Sequence, residues 1–223
     1  MKSFIFGKSS LGLPLLGVDF EHNTTKDSKH VLLFGGVHGD EIEGVVLARA
    51  LMGKLIDSPI ENIKISVVPE FNIEGILLKT RQNYTGVDLN RNLPTKDWSP
   101  EHRKIRYYPG TEPCSENENK ALNNYLSENN VDFIISLHSW KPMLNVNADC
   151  SPIADHISKE TGLIIKDDIG YPTPGSLGTY TGLERNIPTL TYEIQKGIDM
   201  EEILRVHLTP MYDSIKLYSE GKK

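Results

Sequence analysis

His38 and Glu41 stand three residues apart in the run Gly35-Gly36-Val37-His38-Gly39-Asp40-Glu41. The run follows an apolar stretch, Val31-Leu32-Leu33-Phe34, and precedes a helix-like one. An imidazole and a carboxylate at the mouth of a strand can both reach one metal ion. His138 follows a second apolar run, Phe133–Leu137, and Glu193 a third, Thr189–Tyr192. Two histidines and one carboxylate, with a position left open, suit zinc-dependent hydrolysis. Non-haem iron takes similar ligands, so ligand type alone leaves the metal open. A lone His-x-x-Glu arises often by chance, and a lone His138 is as readily a core histidine. Their shared place after buried runs is what groups them. His22, His30, His102, His156 and His207 lack that context and read as surface or packing residues. Ser136 and Ser139 flank His138 outside any Gly-x-Ser-x-Gly elbow, which argues against a serine hydrolase.

The elements that must position these groups follow from periodicity. Val31–Phe34, Ile63–Val68, Phe133–Leu137 and Thr189–Tyr192 read as buried strands. Glu41–Leu55 reads as a helix, with Val45, Leu47, Ala48, Leu51 and Leu55 near helical spacing. Ser115, with Glu118 three residues later, predicts a capping box opening a helix towards Asn129. Ser151–Thr161 and Asp199–Tyr218 predict two further helices. Continuous apolar strands separated by helices indicate an α/β sheet covered on both faces. Sites in such sheets lie beyond the strand ends.

The chain has 223 residues, a formal net charge of −6, and no internal repeat or Pro/Ser-rich linker, so one domain spanning 1–223 is expected. The acidic balance argues against nucleic acid or an anionic membrane as the main partner. The basic cluster Arg103-Lys104-Ile105-Arg106 reads as a solvated face. Cys114 and Cys150 form no Cys-x-x-Cys pair, and whether they bond is open. No window approaches the ~18 apolar residues of a membrane span. The apolar run after Met1 is too short for a signal peptide, so the expected location is the cytoplasm.

The segment from Lys79 to Asn92 is dense in fixed-geometry donors, with Arg91 offering a planar fork for a carboxylate. Here the sequence resembles the M14 family of zinc carboxypeptidases and, within it, the murein peptide amidase branch. The resemblance rests on Lys8–Leu15, His38-Gly39-Asp40-Glu41, Gly86-Val87-Asp88-Leu89-Asn90-Arg91-Asn92, His138, Gly170–Ser176 and Glu193. It runs from about residue 8 to 193. It implies a mixed β-sheet with helices on both faces and one zinc ion held by His38, Glu41 and His138. Glu193 would be the general base, and Arg81 would stabilise the oxyanion. Asn90 and Arg91 would hold the substrate's terminal carboxylate. Asp88 would orient a ligand histidine. Tyr171 would cover the substrate from a Gly- and Pro-rich loop, with Tyr180 the competing choice.

The implied substrate is a small peptidoglycan peptide (a muropeptide) cut at its γ-D-glutamyl–meso-diaminopimelate bond. One departure from the family pattern is Asp40, where peptide-cleaving members often carry arginine. An acid there would disfavour a plain terminal carboxylate and favour a substrate bearing its own amine. It would equally serve as a helix cap. Three alternatives remain at this level: a zinc N-acyl amino acid deacylase, a carboxypeptidase acting on other peptides, and a non-catalytic muropeptide-binding protein.

Overall fold

The computed structural model describes residues 1–221. Its eight strands are β1 (Lys2–Lys8), β2 (Pro14–His22), β3 (Lys29–Gly35), β4 (Ile63–Val68), β5 (Phe133–Trp140), β6 (Met143–Asn147), β7 (Ile165–Lys166) and β8 (Thr189–Gln195). They form one sheet in the order β1-β2-β4-β3-β5-β8-β6-β7. The central strands β4, β3, β5 and β8 run parallel, while β1, β2 and β6 enter antiparallel to their neighbours towards the centre. The sheet is therefore mixed, as the resemblance implies.

Each central strand is apolar throughout because its alternate side chains feed two cores. Val31 and Leu33 of β3 face one layer, shared with α1 (Ile42–Asp57), α4 (Ile153–Thr161) and α6 (Thr209–Ser219). Leu32 and Phe34 face the other, against Phe6, Phe71 and α3 (Asn117–Glu128). Helices thus cover both faces. The final predicted helix is divided into α5 (Met200–Ile203), a π-type turn at Leu204–Leu208, and α6.

The predicted capping box does not form. The N-cap of α3 is Glu116, which makes no side-chain cap bond. Glu118 instead accepts from the Ser10 backbone amide at 3.1 Å and from Asn83 Nδ2 at 3.3 Å. A long-range polar contact with the N-terminal segment claims the residue that local spacing had assigned to the cap. Cys114 and Cys150 are free thiols.

A short helix that the periodicity does not reveal, α2 (Ile73–Leu78), locks the loop after β3. Its N-cap Asn72 accepts from Gly75 N at 3.0 Å and donates to the carbonyls of Val37 and Arg81 at 3.3 and 3.4 Å. One side chain therefore ties the His38 loop to the Arg81 loop. The contact is close enough that a Cβ on Gly39 would lie 1.9 Å from the Gly75 carbonyl carbon. Backbone cannot yield as a flexible side chain can, so Gly39→Ala is expected to lower stability by about 3 kcal/mol or more. Denaturant unfolding checks this. A midpoint equal to wild type would show that the loop can retreat from α2 without loss.

Candidate active site

His38 and Glu41 emerge just past the C-terminal end of β3, with Glu41 at the N-cap of α1. His138 lies within β5, which continues to Trp140 instead of ending at Leu137. Glu193 lies within β8. Parallel pairing sets His138 directly in register with Glu193. All four residues line one cleft of about 560 Å³.

The Nδ1 atoms of His38 and His138 are 3.1 Å apart. Glu41 Oε1 lies 3.0 Å from the first, and Glu41 Oε2 lies 2.8 Å from the second. Ligand atoms of the three buried residues fall within 4.8 Å of one another. The far ring nitrogens are occupied: His38 Nε2 bonds Asp88 Oδ1 at 3.1 Å, and His138 Nε2 meets Ser136 Oγ at 2.9 Å. A carboxylate only accepts, so Asp88 keeps the proton of neutral His38 on Nε2 and leaves Nδ1 as the lone-pair donor. That is the tautomer and support a metal-binding imidazole needs. The donor set fits one zinc-sized cation.

Asp88 holds three groups together. Besides His38, its Oδ1 accepts from Asn90 N at 3.0 Å, and its Oδ2 accepts from Arg81 Nε at 2.8 Å. Burial opposes its charge, but Arg81 and His38 outweigh burial and hold the carboxyl far below the usual carboxylate range. Arg81 Nη1 donates to Glu41 Oε1 at 3.2 Å. The turn Leu89–Arg91, capped by Asp88, presents the next two side chains. Asn90 Oδ1 accepts from Leu177 N at 2.8 Å, which leaves its amide nitrogen free to donate. The buried Arg91 guanidinium forms no ion pair among the described residues; its Nη1 donates to Asn90 O at 2.5 Å, and the remaining N–H groups can meet a carboxylate.

Tyr171 is exposed, lines the cleft and packs edge-on against Trp140 with ring centroids 6.0 Å apart. Tyr180 is buried on the other side, with its hydroxyl bonded to Asn123 and Arg185. Of the two, the tyrosine on the cleft is Tyr171. Asp40 does not cap α1, where the cap residue Glu41 makes no side-chain cap bond. Its Oδ2 instead lies 2.9 Å from Lys196 Nζ. The arginine-bearing surface at Arg103–Arg106 is exposed, as its composition predicts.

Three contributors escaped sequence reasoning. Glu43, buried in α1, accepts from Ser139 Oγ and from Gly197 N, both at 2.6 Å, and so ties the ends of β5 and β8 together. Asn72 braces the metal loop. Lys196 adds a cation to the cleft wall. None of them stands in a recognisable local motif, and only the tertiary contacts reveal them.

The sequence matches the zinc carboxypeptidase family across residues 1–200. The chain belongs to the zinc carboxypeptidase family. It is accordingly a peptide-bond hydrolase of the zinc-dependent type. Among curated relatives it is 33% identical to murein peptide amidase A of Vibrio campbellii over 202 residues, covering 85% of this chain and 77% of the relative. It is 28% identical to murein peptide amidase A of Escherichia coli over 199 residues, covering 84% of this chain and 79% of that one. The crystal structure of murein-tripeptide amidase from Escherichia coli O157 superimposes with a TM-score of 0.84 at 26% identity, covering 97% of this chain and 92% of that one. Bovine thrombin-activatable fibrinolysis inhibitor shares the fold, with a TM-score of 0.83 at 18% identity over 99% of this chain and 89% of that one.

The site's electrostatics yield two predictions. Burial and Arg81 oppose a charged His38, but Glu41 and Asp88 outweigh them and raise its pKa above the ordinary 6.5. Zinc needs the neutral imidazole, so binding near pH 6 should release a proton, and affinity should fall as pH drops. Calorimetry in two buffers of different ionisation enthalpy reads this, and identical heats would refute it.

The second concerns Glu193, whose Oε2 is buried without a partner. Burial pushes its carboxyl from 4.5 up to about 7. The folded metal-free protein therefore binds this proton more tightly than the unfolded chain. The associated stability is complete below about 4.5 and lost as pH rises through about 7. Glu193→Gln should raise the Tm of metal-free protein at pH 8 by roughly 5 °C, with the difference vanishing towards pH 5. A difference independent of pH would contradict the buried, unpaired carboxylate.

Proposed function

We propose that this chain is a murein peptide amidase, cutting the γ-D-glutamyl–meso-diaminopimelate bond of small peptidoglycan peptides with one zinc ion. The observation that carries the reading is the polar character of the cleft beside the carboxylate clamp. Strand β8 supplies Thr191, two residues before Glu193, and β6 supplies Asn145, paired with Thr191, and Asn147. Asp167 and Asp168 follow β7 at the same mouth. Such a lining suits a leaving group whose side chain ends in an amine and a carboxylate, and it disfavours an aliphatic or aromatic one. The amine that sequence reasoning assigned to Asp40 is better met here, because Asp40 is already paired with Lys196. The similarity to murein peptide amidases of two organisms supports the same substrate class.

In this reading, Asn90 and Arg91 grip the terminal carboxylate and fix the scissile carbonyl beneath Tyr171. Zinc, when held by His38, Glu41 and His138, supplies Lewis acidity at that carbonyl and at the attacking water. Glu193 takes a proton from the water as it attacks and passes it to the departing amine. Arg81, aimed by Asp88, donates to the carbonyl oxygen as negative charge develops there. No covalent acyl-enzyme forms. The chain acts as a single catalytic domain, and its place of action is the cytoplasm. No helix among the described residues is long and apolar enough to cross a membrane.

Mass spectrometry tests the reading. Zinc-loaded protein should release free diaminopimelate from L-Ala-γ-D-Glu-diaminopimelate, and no cleavage of any diaminopimelate peptide would end the proposal. Glu193→Gln should keep its zinc and lose roughly 10²–10⁴-fold in kcat, the ordinary contribution of a general base. Near-normal turnover would remove Glu193 from that role.

A further inference from the structure

We propose that Lys196 reads a carboxylate on the acyl side of the scissile bond, so that the enzyme selects a γ-linked glutamyl residue by its free α-carboxylate. The inference rests on the amidase reading above.

Strand β8 gives the cleft a direction. Glu193 sits opposite His138, Thr191 lies towards the start of the strand, and Lys196 lies just past its end at Gln195. The clamp belongs to the Thr191 end. Asn90 is bonded to Leu177 N, and the adjoining Gly178 packs against Asn147, which pairs with Thr189. A leaving group held by its terminal carboxylate therefore extends towards Thr191. The acyl portion must leave Glu193 in the opposite direction, over Trp140, Asp40 and Lys196, all of which line the same cleft.

Among the described residues, four cationic side chains line this cleft: Arg81, Arg91, Arg106 and Lys196. Arg81 belongs to the reacting carbonyl. Arg81, Arg91 and Arg106 all share the ring of Tyr107, at 5.3, 5.7 and 5.4 Å, so Arg91 and Arg106 stand with Arg81 on the clamp side. Lys196 is the cation left for the acyl side. Its backbone is fixed at both ends: Lys196 N donates to Trp140 O at 3.1 Å, and Gly197 N donates to Glu43 Oε1 at 2.6 Å. Its ammonium is held by Asp40 Oδ2 at 2.9 Å. An ammonium has three N–H donors, and this contact uses one. A half-exposed ion pair adds little stability. What the pair does achieve is to hold a partly desolvated cation at one spot on the wall.

The substrate chemistry matches that spot. When glutamate is linked through its γ-carbonyl, its α-carboxylate hangs beside the chain on the acyl side of the bond being cut. An α-linked residue other than aspartate or glutamate has no negative charge there. Lys196 therefore distinguishes the γ-glutamyl linkage from a normal peptide by charge, independently of the leaving group.

Two synthetic tripeptides test this: L-Ala-γ-D-Glu-diaminopimelate, and the same peptide with the glutamyl α-carboxylate converted to a carboxamide. Wild-type enzyme should favour the carboxylate form by about tenfold or more in kcat/KM, mainly through KM, as expected for one charge-assisted hydrogen bond. Lys196→Gln should bring the ratio of the two substrates close to one, and Lys196→Arg should restore part of it. Zinc content and Tm measured on each variant identify any that misfold. The same ratio in wild type and Lys196→Gln, with both peptides cleaved, would overturn the role of Lys196 while leaving the amidase reading intact. Cleavage of neither peptide by wild type would overturn the amidase reading and this inference with it.

Discussion

The carboxylate of Asp88 has no exposure to solvent, and one whole side of the cleft leans on it. It fixes the proton of His38, aims the Nε of Arg81 and caps the turn that carries Asn90 and Arg91. A buried charge is tolerated only when its partners are complete. Here the partners are the His38 ring, the Arg81 guanidinium and the backbone amide of Asn90. His38, Arg81 and the Asn90–Arg91 turn are thus one electrostatic unit. Removing any partner leaves the others facing an uncompensated ion in a place water cannot reach.

Glu193 is the counterpoint to this satisfied network. It sits among charged groups yet has one buried oxygen without a hydrogen-bond partner. The fold keeps this carboxyl undersolvated beside a cluster where charges are otherwise paired. Such tension is characteristic of a group that must exchange a proton near neutrality. Around it, Glu43 joins Ser139 to Gly197 and Asn72 joins the two loops, which fixes the walls of the cleft.

The parts of the fold legible in the sequence were those buried on two faces. Ile63–Val68 matches β4 residue for residue, and Val31–Phe34 falls inside β3, because central strands are apolar along their whole length. Strands β1 and β2 were missed because they are largely exposed and carry charged residues at the sheet's edge. Strand β5 runs three residues further than its apolar run, since His138 and Ser139 are buried by the site's own hydrogen bonds and not by hydrophobicity. Ser115 and Glu118 carried a valid local signal that tertiary bonding overrode. The metal set, Glu193 and the Asp88–Asn90–Arg91 segment were visible as residues, and the structure brings them to one cleft. Lys196 and Glu43 could not be found this way. Each acts across more than 90 residues of sequence, and neither sits in a pattern.

The register between β5 and β8 ties catalysis to the completion of folding. His138 and Glu193 face one another only because two parallel strands, separated by about fifty residues of chain, pair without slippage. A slip of β8 by one residue would turn Glu193 to the opposite face of the sheet while His138 stayed on its own. Non-local parallel pairing of this kind is intrinsically slow, because loop-closure entropy must be met first. Before β5 and β8 pair, the chain holds His38 and Glu41 three residues apart, yet His138 and Glu193 do not face one another. The four side chains therefore come together in one cleft only with the completed sheet.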